Sequence, residues 1–68
     1  MTYGIWNVTK NKWVKDFDAD PPKGSLIIPD YQNSDEKVAM KALVIVRELC
    51  KLRFCCKDDQ FELRDYAP

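Results

Sequence analysis

The chain contains no histidine, and this absence excludes the commonest chemistry of enzymes and metal sites. Histidine is the usual general acid or base near neutral pH and a frequent zinc ligand. The chain also lacks a net charge, because eleven basic residues balance eleven acidic ones. No block of like charge is present to bind a phosphate backbone non-specifically. The longest apolar run, residues 42–46, is too short to span a bilayer.

A secretory signal is not recognised, because no charged N-terminal segment is followed by an apolar run. We therefore expect a cytoplasmic protein whose three cysteines are reduced thiols, and we expect no contact with a membrane. A length of 68 residues predicts a single domain spanning 1–68, and a hydrophobic fraction of 46% is enough for a globular core.

The beginning of the chain predicts a β-hairpin. Two runs of β-branched and aromatic residues flank a short polar turn at Lys10 and Asn11. A turn at these two residues pairs Val8 with Trp13. Side chains alternate along a strand, so the aromatic residues share one face, which we expect to be buried. That face carries Trp6, Val8, Trp13 and Phe17, and the opposite, outer face carries Tyr3, Ile5, Asn7, Val14 and Asp16.

A long amphipathic helix follows the hairpin. Its expected N-cap is Asn33 or Ser34, with Glu36 completing a start that resembles a capping box. Apolar residues at alternating spacings of four and three form a stripe that predicts packing against a sheet. The stripe contains Val38, Ala42, Ile45, Leu49, Leu52 and Cys56, and Ala39, Leu43, Val46 and Cys50 widen it.

The end of the chain alternates as a strand over residues 61–66. Phe61 and Leu63 are expected to point inward, and Glu62, Arg64 and Tyr66 outward. Residues 25–28, which Pro29 terminates, are a candidate for an additional short edge strand. The order of elements predicts an α+β fold, in which one amphipathic helix packs on one face of an antiparallel sheet of three or four strands.

Three cysteines lie within seven positions and suggest chemistry of their own. Cys50 and Cys56 fall on the apolar side of the helix and are expected to act as small buried hydrophobes. Zinc needs four cysteine or histidine ligands, and at most three thiolates are available, so we predict no metal. Cys55 is a candidate for an exposed thiol, but no histidine can act as its base. A domain of this size is also expected to have little room for a pocket. We therefore predict no catalytic residue and no cofactor.

The outer face of the sheet is the leading candidate for function. It is expected to bring together Tyr3, Ile5 and Val14, with Tyr66 beside them and Arg64 at the border. Tyrosine and arginine around an aliphatic centre are typical of a protein-binding hot spot. We predict a protein partner at this face. A homodimer through the same face, or no partner at all, are the alternatives.

The hairpin offers a second hypothesis, which is nucleic-acid binding. Lys10, Lys12 and Lys15 lie close in sequence to two tryptophans, and aromatic residues among basic ones can stack bases. Against this hypothesis, the predicted register buries both tryptophans, and acidic residues follow the lysines. Nucleic acid is therefore the less favoured partner.

The whole pattern resembles the small hairpin–helix–strand proteins common in phage and prophage genomes. The resemblance rests on an aromatic first strand from Tyr3, a second strand at Trp13, one helix, and a last strand ending at Tyr66. It implies a stoichiometric binder or inhibitor of a host protein. The outline is also similar to the three-stranded DNA-binding domains of some phage integrases, whose exposed sheets are basic, whereas here Asp16 and Glu62 dilute the positive charge.

Overall fold

The computed structural model describes residues 1–16, 23–24, 27–53 and 56–66, so the predicted burial of Phe17 lies outside the described residues. Three strands and one helix follow one another as β1 (Tyr3–Asn7), β2 (Lys12–Trp13), α1 (Glu36–Lys51) and β3 (Phe61–Asp65). The strands form one antiparallel sheet in the order β2-β1-β3, and α1 packs against one of its faces. This arrangement confirms the predicted α+β fold.

The candidate edge strand at residues 25–28 is only partly described. Residues 25 and 26 lie outside the described residues, and Ile27 and Ile28 are not in a strand. The chain reaches the sheet only at the following residues, where Asp30 makes an isolated bridge with Lys15. The described part of the chain therefore has a sheet of three strands.

The hairpin has a longer loop than predicted. Trp6 pairs with Trp13 and Asn7 with Lys12, so four residues, 8–11, connect the strands. The side chain of Asn7 accepts a hydrogen bond from the backbone N–H of Lys10 at 2.9 Å. Asn11 takes a positive φ of 60°, which asparagine tolerates better than most residues. The predicted pairing of Val8 with Trp13 was wrong, because Asn7 closes the loop with its own side chain.

The register between β1 and β3 determines which side of β1 is buried. Ile5 lies opposite Leu63, and Trp6 lies opposite Glu62. Paired residues point to the same face, so Ile5 joins Leu63 on the side of α1, where Ile5 is 0% exposed. The predicted burial of the hairpin was therefore reversed: Trp6 lies on the face away from the helix. For β3, the predicted inward orientation of Phe61 and Leu63 was confirmed.

The core lies between α1 and the inner face of the sheet. Tyr31 enters it from the segment before the helix, where its N–H donates to the carbonyl of Val14 at 2.9 Å. Asn33 in the same segment exchanges two backbone hydrogen bonds with Tyr3, so the sheet continues irregularly beside β1. The buried apolar residues are Ile5, Tyr31, Ala39, Ala42, Leu43, Val46 and Phe61, with Tyr3, Val14, Cys50 and Leu63 packed against them.

Helix α1 begins one or two residues later than predicted. Asp35 is its N-cap and accepts a hydrogen bond from the N–H of Lys37 at 2.9 Å, while the side chain of Asn33 holds the N–H of Asp35. A carboxylate at this position also interacts favourably with the helix dipole. The helix ends at Lys51, so Cys56 lies in a turn beyond it. Among the described residues, no helix is long and apolar enough to cross a bilayer.

The buried side of α1 is rotated from the predicted stripe. It is centred on small side chains, Ala39 and Ala42, together with Leu43 and Val46. Small side chains at these positions take up little space between α1 and the sheet, where Ile5 of β1 is fully buried. Four members of the predicted stripe are exposed instead: Val38, Ile45, Leu49 and Leu52.

The reversed faces can be tested with two matched substitutions. Ile5→Val removes one methylene from a fully buried site and is expected to lower the free energy of unfolding by about 1 kcal/mol. Ile45→Val makes the same change at a side chain that is 45% exposed and should alter the free energy by less than about 0.5 kcal/mol. Urea unfolding followed by circular dichroism measures both. Equal losses, or a larger loss at Ile45, would contradict the buried position of Ile5.

Candidate interaction surface

Three aromatic side chains form a cluster on the face of the sheet away from α1. The ring centroids of Trp6 and Trp13 are 5.0 Å apart at an angle of 78°. Those of Trp13 and Tyr66 are 4.9 Å apart at 67°. Such edge-to-face pairs contribute roughly 0.5–1.5 kcal/mol each beyond the burial of their area. We call Trp6, Trp13 and Tyr66 the aromatic cluster. Its rings pack against one another within a single chain.

Gly4 makes the aromatic cluster possible. A Cβ atom at this position would lie 2.8 Å from Cζ3 of Trp13 and 3.0 Å from Cδ2 of Tyr66. These separations are too short for carbon atoms, so any other residue would push the two rings apart. Because β1 is the central strand, Gly4 allows Trp13 from one neighbour and Tyr66 from the other side to meet across it.

Charged groups border the aromatic cluster in pairs of opposite sign. The guanidinium carbon of Arg64 lies 5.0 Å from the ring centroid of Trp6, within the range of a cation–π contact. Arg64 Nε also donates to Glu62 on the same strand. On the other side, the Nζ of Lys15 lies 2.9 Å from Asp30. The face therefore combines an aromatic centre with a border whose charges compensate one another.

Asp30 connects this border to the aromatic cluster. It accepts hydrogen bonds from Lys15 at 2.9 Å and from the hydroxyl of Tyr66 at 3.0 Å. The bond from Lys15, reinforced by that from Tyr66, lowers the pKa of Asp30 below its ordinary value of 3.8. The hydrogen bond between Tyr66 and Asp30 raises the pKa of Tyr66, because the phenolate of Tyr66 would face a carboxylate. Asp30 thereby fixes the orientation of the Tyr66 ring.

Only some of the residues predicted for the outer face lie on it. Arg64 and Tyr66 lie on the outer face as predicted. Tyr3, Ile5 and Val14 do not, because they point toward α1 and belong to the core or pack against it. Sequence reasoning missed Trp6 and Trp13 as surface residues. Gly4 was the available signal, since a glycine within a strand often marks the close approach of another group.

The hairpin lysines are engaged with carboxylates. Lys10 lies 2.9 Å from Asp59, which also accepts a hydrogen bond from the amide of Asn7 at 2.9 Å. The bond from Asn7, followed by that from Lys10, lowers the pKa of Asp59. Lys15 is paired with Asp30, and Lys12 is exposed on β2. Two of the three lysines that were proposed to bind nucleic acid, Lys10 and Lys15, therefore form ion pairs within the fold.

The two described thiols, Cys50 and Cys56, are half-buried rather than fully buried as expected. The Sγ of Cys56 lies 3.7 Å from the carbonyl oxygen of Cys50 and donates to it. Burial, and next the hydrogen bond with Cys56, raise the pKa of Cys50 to about 11. Cys50 is consequently a protonated thiol at neutral pH and a poor nucleophile. Cys55 lies outside the described residues, so its predicted exposure stays a prediction.

An open cleft lies beside the C-terminal half of α1, and it is larger than we expected for a domain of this size. Its volume is about 430 Å³, and its lining includes Arg47, Cys50, Lys51 and residues 57–61. The thiol in it is the protonated Cys50, and the cationic side chains reach solvent. Within the described ranges, no group of three or more histidine, cysteine, aspartate or glutamate residues could hold a metal ion.

Comparison of this chain with protein-family models, curated proteins and solved structures finds no match. Function is therefore inferred from the geometry of the chain itself.

The role of Asp30 predicts a specific dependence of stability on pH. A carboxylate whose pKa is lower in the folded state than in the unfolded state stabilises the fold above its unfolded pKa, and this contribution disappears as the pH falls. Asp30→Asn should therefore be less stable than the wild type at about pH 7, and the difference should narrow below about pH 4. Urea unfolding at a series of pH values measures it.

A control variant and a second measurement make this test specific. Asp58→Asn removes a carboxylate from an exposed turn and controls for the change of net charge. An ultraviolet titration of tyrosine should show that the pKa of Tyr66 falls in Asp30→Asn, because its hydrogen-bonded carboxylate is gone. A stability difference that stays constant over the whole acidic range would contradict the assigned role of Asp30.

Proposed function

We propose that this protein is a non-enzymatic interaction protein, and that it binds a protein partner through the aromatic cluster and Arg64. The observation that carries the proposal is the position of two tryptophans and one tyrosine on the sheet face that α1 leaves uncovered. Tryptophan, tyrosine and arginine are the residue types that most often dominate binding energy at protein interfaces.

The geometry of the rings favours tight recognition. Gly4 and the edge-to-face contacts hold Trp13 in place before any partner arrives. Binding to such a surface loses little conformational entropy, because the side chains already pack against one another. The compensated border favours a partner that presents an apolar or aromatic centre with a few polar groups around it. A strongly acidic or basic partner would find no excess charge to attract it.

The proposal extends the resemblance to phage accessory proteins. Under this proposal the protein acts in the cytoplasm by stoichiometric binding to a host protein. The high pKa of Cys50 supports a role without covalent catalysis, since its thiolate is scarce at neutral pH. The paired states of Lys10 and Lys15 support a protein partner over a polyanion.

The proposal predicts which substitutions abolish binding. Immobilised wild-type protein should retain a stoichiometric protein from a lysate treated with nuclease. Trp6→Ala and Arg64→Ala should each weaken that complex by about thirtyfold, the loss of a hot-spot contact. Isothermal titration calorimetry with the purified partner measures the change.

The controls separate binding from folding. Lys41→Ala alters an exposed residue of α1 and should leave the affinity unchanged. Circular dichroism and urea unfolding establish that each variant is folded. If folded Trp6→Ala and Arg64→Ala both bind the partner as tightly as the wild type does, the aromatic cluster is not the binding site.

Single-stranded nucleic acid is the second candidate partner, and the position of Trp6 and Trp13 favours it. Aromatic residues on an uncovered sheet face can stack bases, so the earlier objection that both tryptophans are buried no longer holds. The neutral border still argues against this candidate, because each phosphate contact needs a cation.

A fluorescence titration separates the two candidates. We expect an oligonucleotide to leave tryptophan fluorescence unchanged at about 0.15 M salt, because the cations that border the aromatic cluster are paired with carboxylates. Quenching that weakens steeply with added salt and in Lys12→Ala would replace the protein partner with nucleic acid. Lys37→Ala, on the exposed side of α1, is the matched control for removal of one positive charge.

A further inference from the structure

Strand β3 forms one edge of the sheet, and the hydrogen bonds around it show which backbone groups point outward. The N–H of Val8 donates to Gln60, and the N–H of Tyr66 donates to Thr2. Bonded and non-bonded pairs alternate in an antiparallel ladder, so Glu62 and Arg64 also bond toward β1. The backbone groups of the intervening Phe61, Leu63 and Asp65 must therefore face away from the sheet.

This outward edge is largely open within the described part of the chain. The carbonyl of Phe61 accepts a hydrogen bond from Nη2 of Arg47 at 3.0 Å. No described residue bonds to the outward backbone groups of Leu63 or Asp65. A carbonyl oxygen can accept two hydrogen bonds, so Phe61 can still accept one from a neighbouring strand. The edge is a template for one more antiparallel strand.

The side chains of β3 are arranged so that the strand complements itself. When a second copy pairs antiparallel with Leu63 opposite Leu63, Glu62 faces Arg64 of the other copy, and Arg64 faces its Glu62. In the same alignment Phe61 of one copy lies opposite Asp65 of the other. The outward N–H and C=O groups of Phe61, Leu63 and Asp65 then face those of the second copy, as an antiparallel ladder requires. Glu62 and Arg64 then form the closer, non-hydrogen-bonded pairs, where opposite charges interact best.

The inner side of the edge is complementary as well. Asp65 and Phe61 point to the side of α1, and Asp65 is exposed. In the paired arrangement Asp65 of the second copy lies opposite Phe61, whose carbonyl is already held by Arg47. The carboxylate of one copy thus approaches the guanidinium of the other, and the two-fold axis repeats the contact. Charges of opposite sign meet on both sides of the edge.

We propose that β3 is the interface of a symmetric homodimer, in which two three-stranded sheets join into one continuous sheet. This surface is the strand edge, so the inference goes beyond the proposed binding of a partner at the outer face. A five-residue strand buries less area than a standard interface. We therefore expect a dimer that dissociates in the micromolar range.

Charge reversal provides a test that only an intermolecular contact can satisfy. Arg64→Glu and Glu62→Arg each replace two attractive cross-strand pairs by two repulsive ones. Each variant alone should raise the dimer dissociation constant at least about tenfold. An equimolar mixture of the two should form a heterodimer, because one chain then carries two acidic side chains at positions 62 and 64 and the other carries two basic ones. Sedimentation equilibrium of wild type, single variants and mixture measures all four states.

Further variants make the outcome decisive. Lys41→Glu changes charge on the exposed side of α1 and should leave the dimer unchanged. N-methylation of Leu63, introduced by chemical synthesis, removes one outward N–H, keeps the side chain and should give a monomer. It serves as the test if a charge variant is unfolded.

Two results would overturn the proposal. The first is a wild-type protein that remains monomeric up to about 1 mM, well above the range expected for a small interface. The second is a dimer that both charge variants leave unchanged, since its contact would then lie elsewhere, for example at the exposed Ile45 and Leu49 of α1. Neither result depends on a partner protein, so this proposal can fail while the proposed function stands.

Discussion

The pairing of Ile5 with Leu63 is the constraint on which the rest of the structure depends. It places both side chains beneath α1, and strand alternation then sends Gly4 and Trp6 to the opposite face. Burial of Ile5 among small helix residues supplies the hydrophobic contact between the layers. The two tryptophans cannot join that core without reversing every residue of β1, so they pack against each other and against Tyr66 on the outside.

The resulting outer face is closely packed, and its border charges are paired. Asp30 holds Lys15 and the hydroxyl of Tyr66, while Arg64 lies over Trp6 and contacts Glu62. In the proposed dimer, Glu62 and Arg64 also pair across the two-fold axis, so the strand edge and the outer face share these residues. Two aromatic clusters would then lie on one continuous sheet. Such an arrangement would suit a partner that is itself symmetric or repetitive, because a second contact strengthens the first.

The fold could be predicted from local patterns, whereas the position of the aromatic cluster on the outer face could not. Helix α1 and the inward direction of Phe61 follow from periodicity and were recognised. The register of β1 against β3 joins residues far apart in sequence, and Gly4, as a glycine within a strand, is a weak local indication of its parity. The hydrophobicity of Trp6 and Trp13 favoured burial, and the burial of Ile5 instead follows from that register. The four-residue loop was missed because the side chain of Asn7 closes it.

A nuclear Overhauser experiment on the purified protein tests the central claim, that the tryptophans lie across Gly4 on the face opposite α1. We predict cross-peaks from the ring of Trp13 to the α-protons of Gly4 and to the ring of Tyr66. We also predict that the ring current of Trp13 shifts a Gly4 α-proton strongly upfield. Cross-peaks from Trp13 to the methyl groups of Ala39 and Leu43, without contact to Gly4, would place the tryptophans under the helix and contradict this claim.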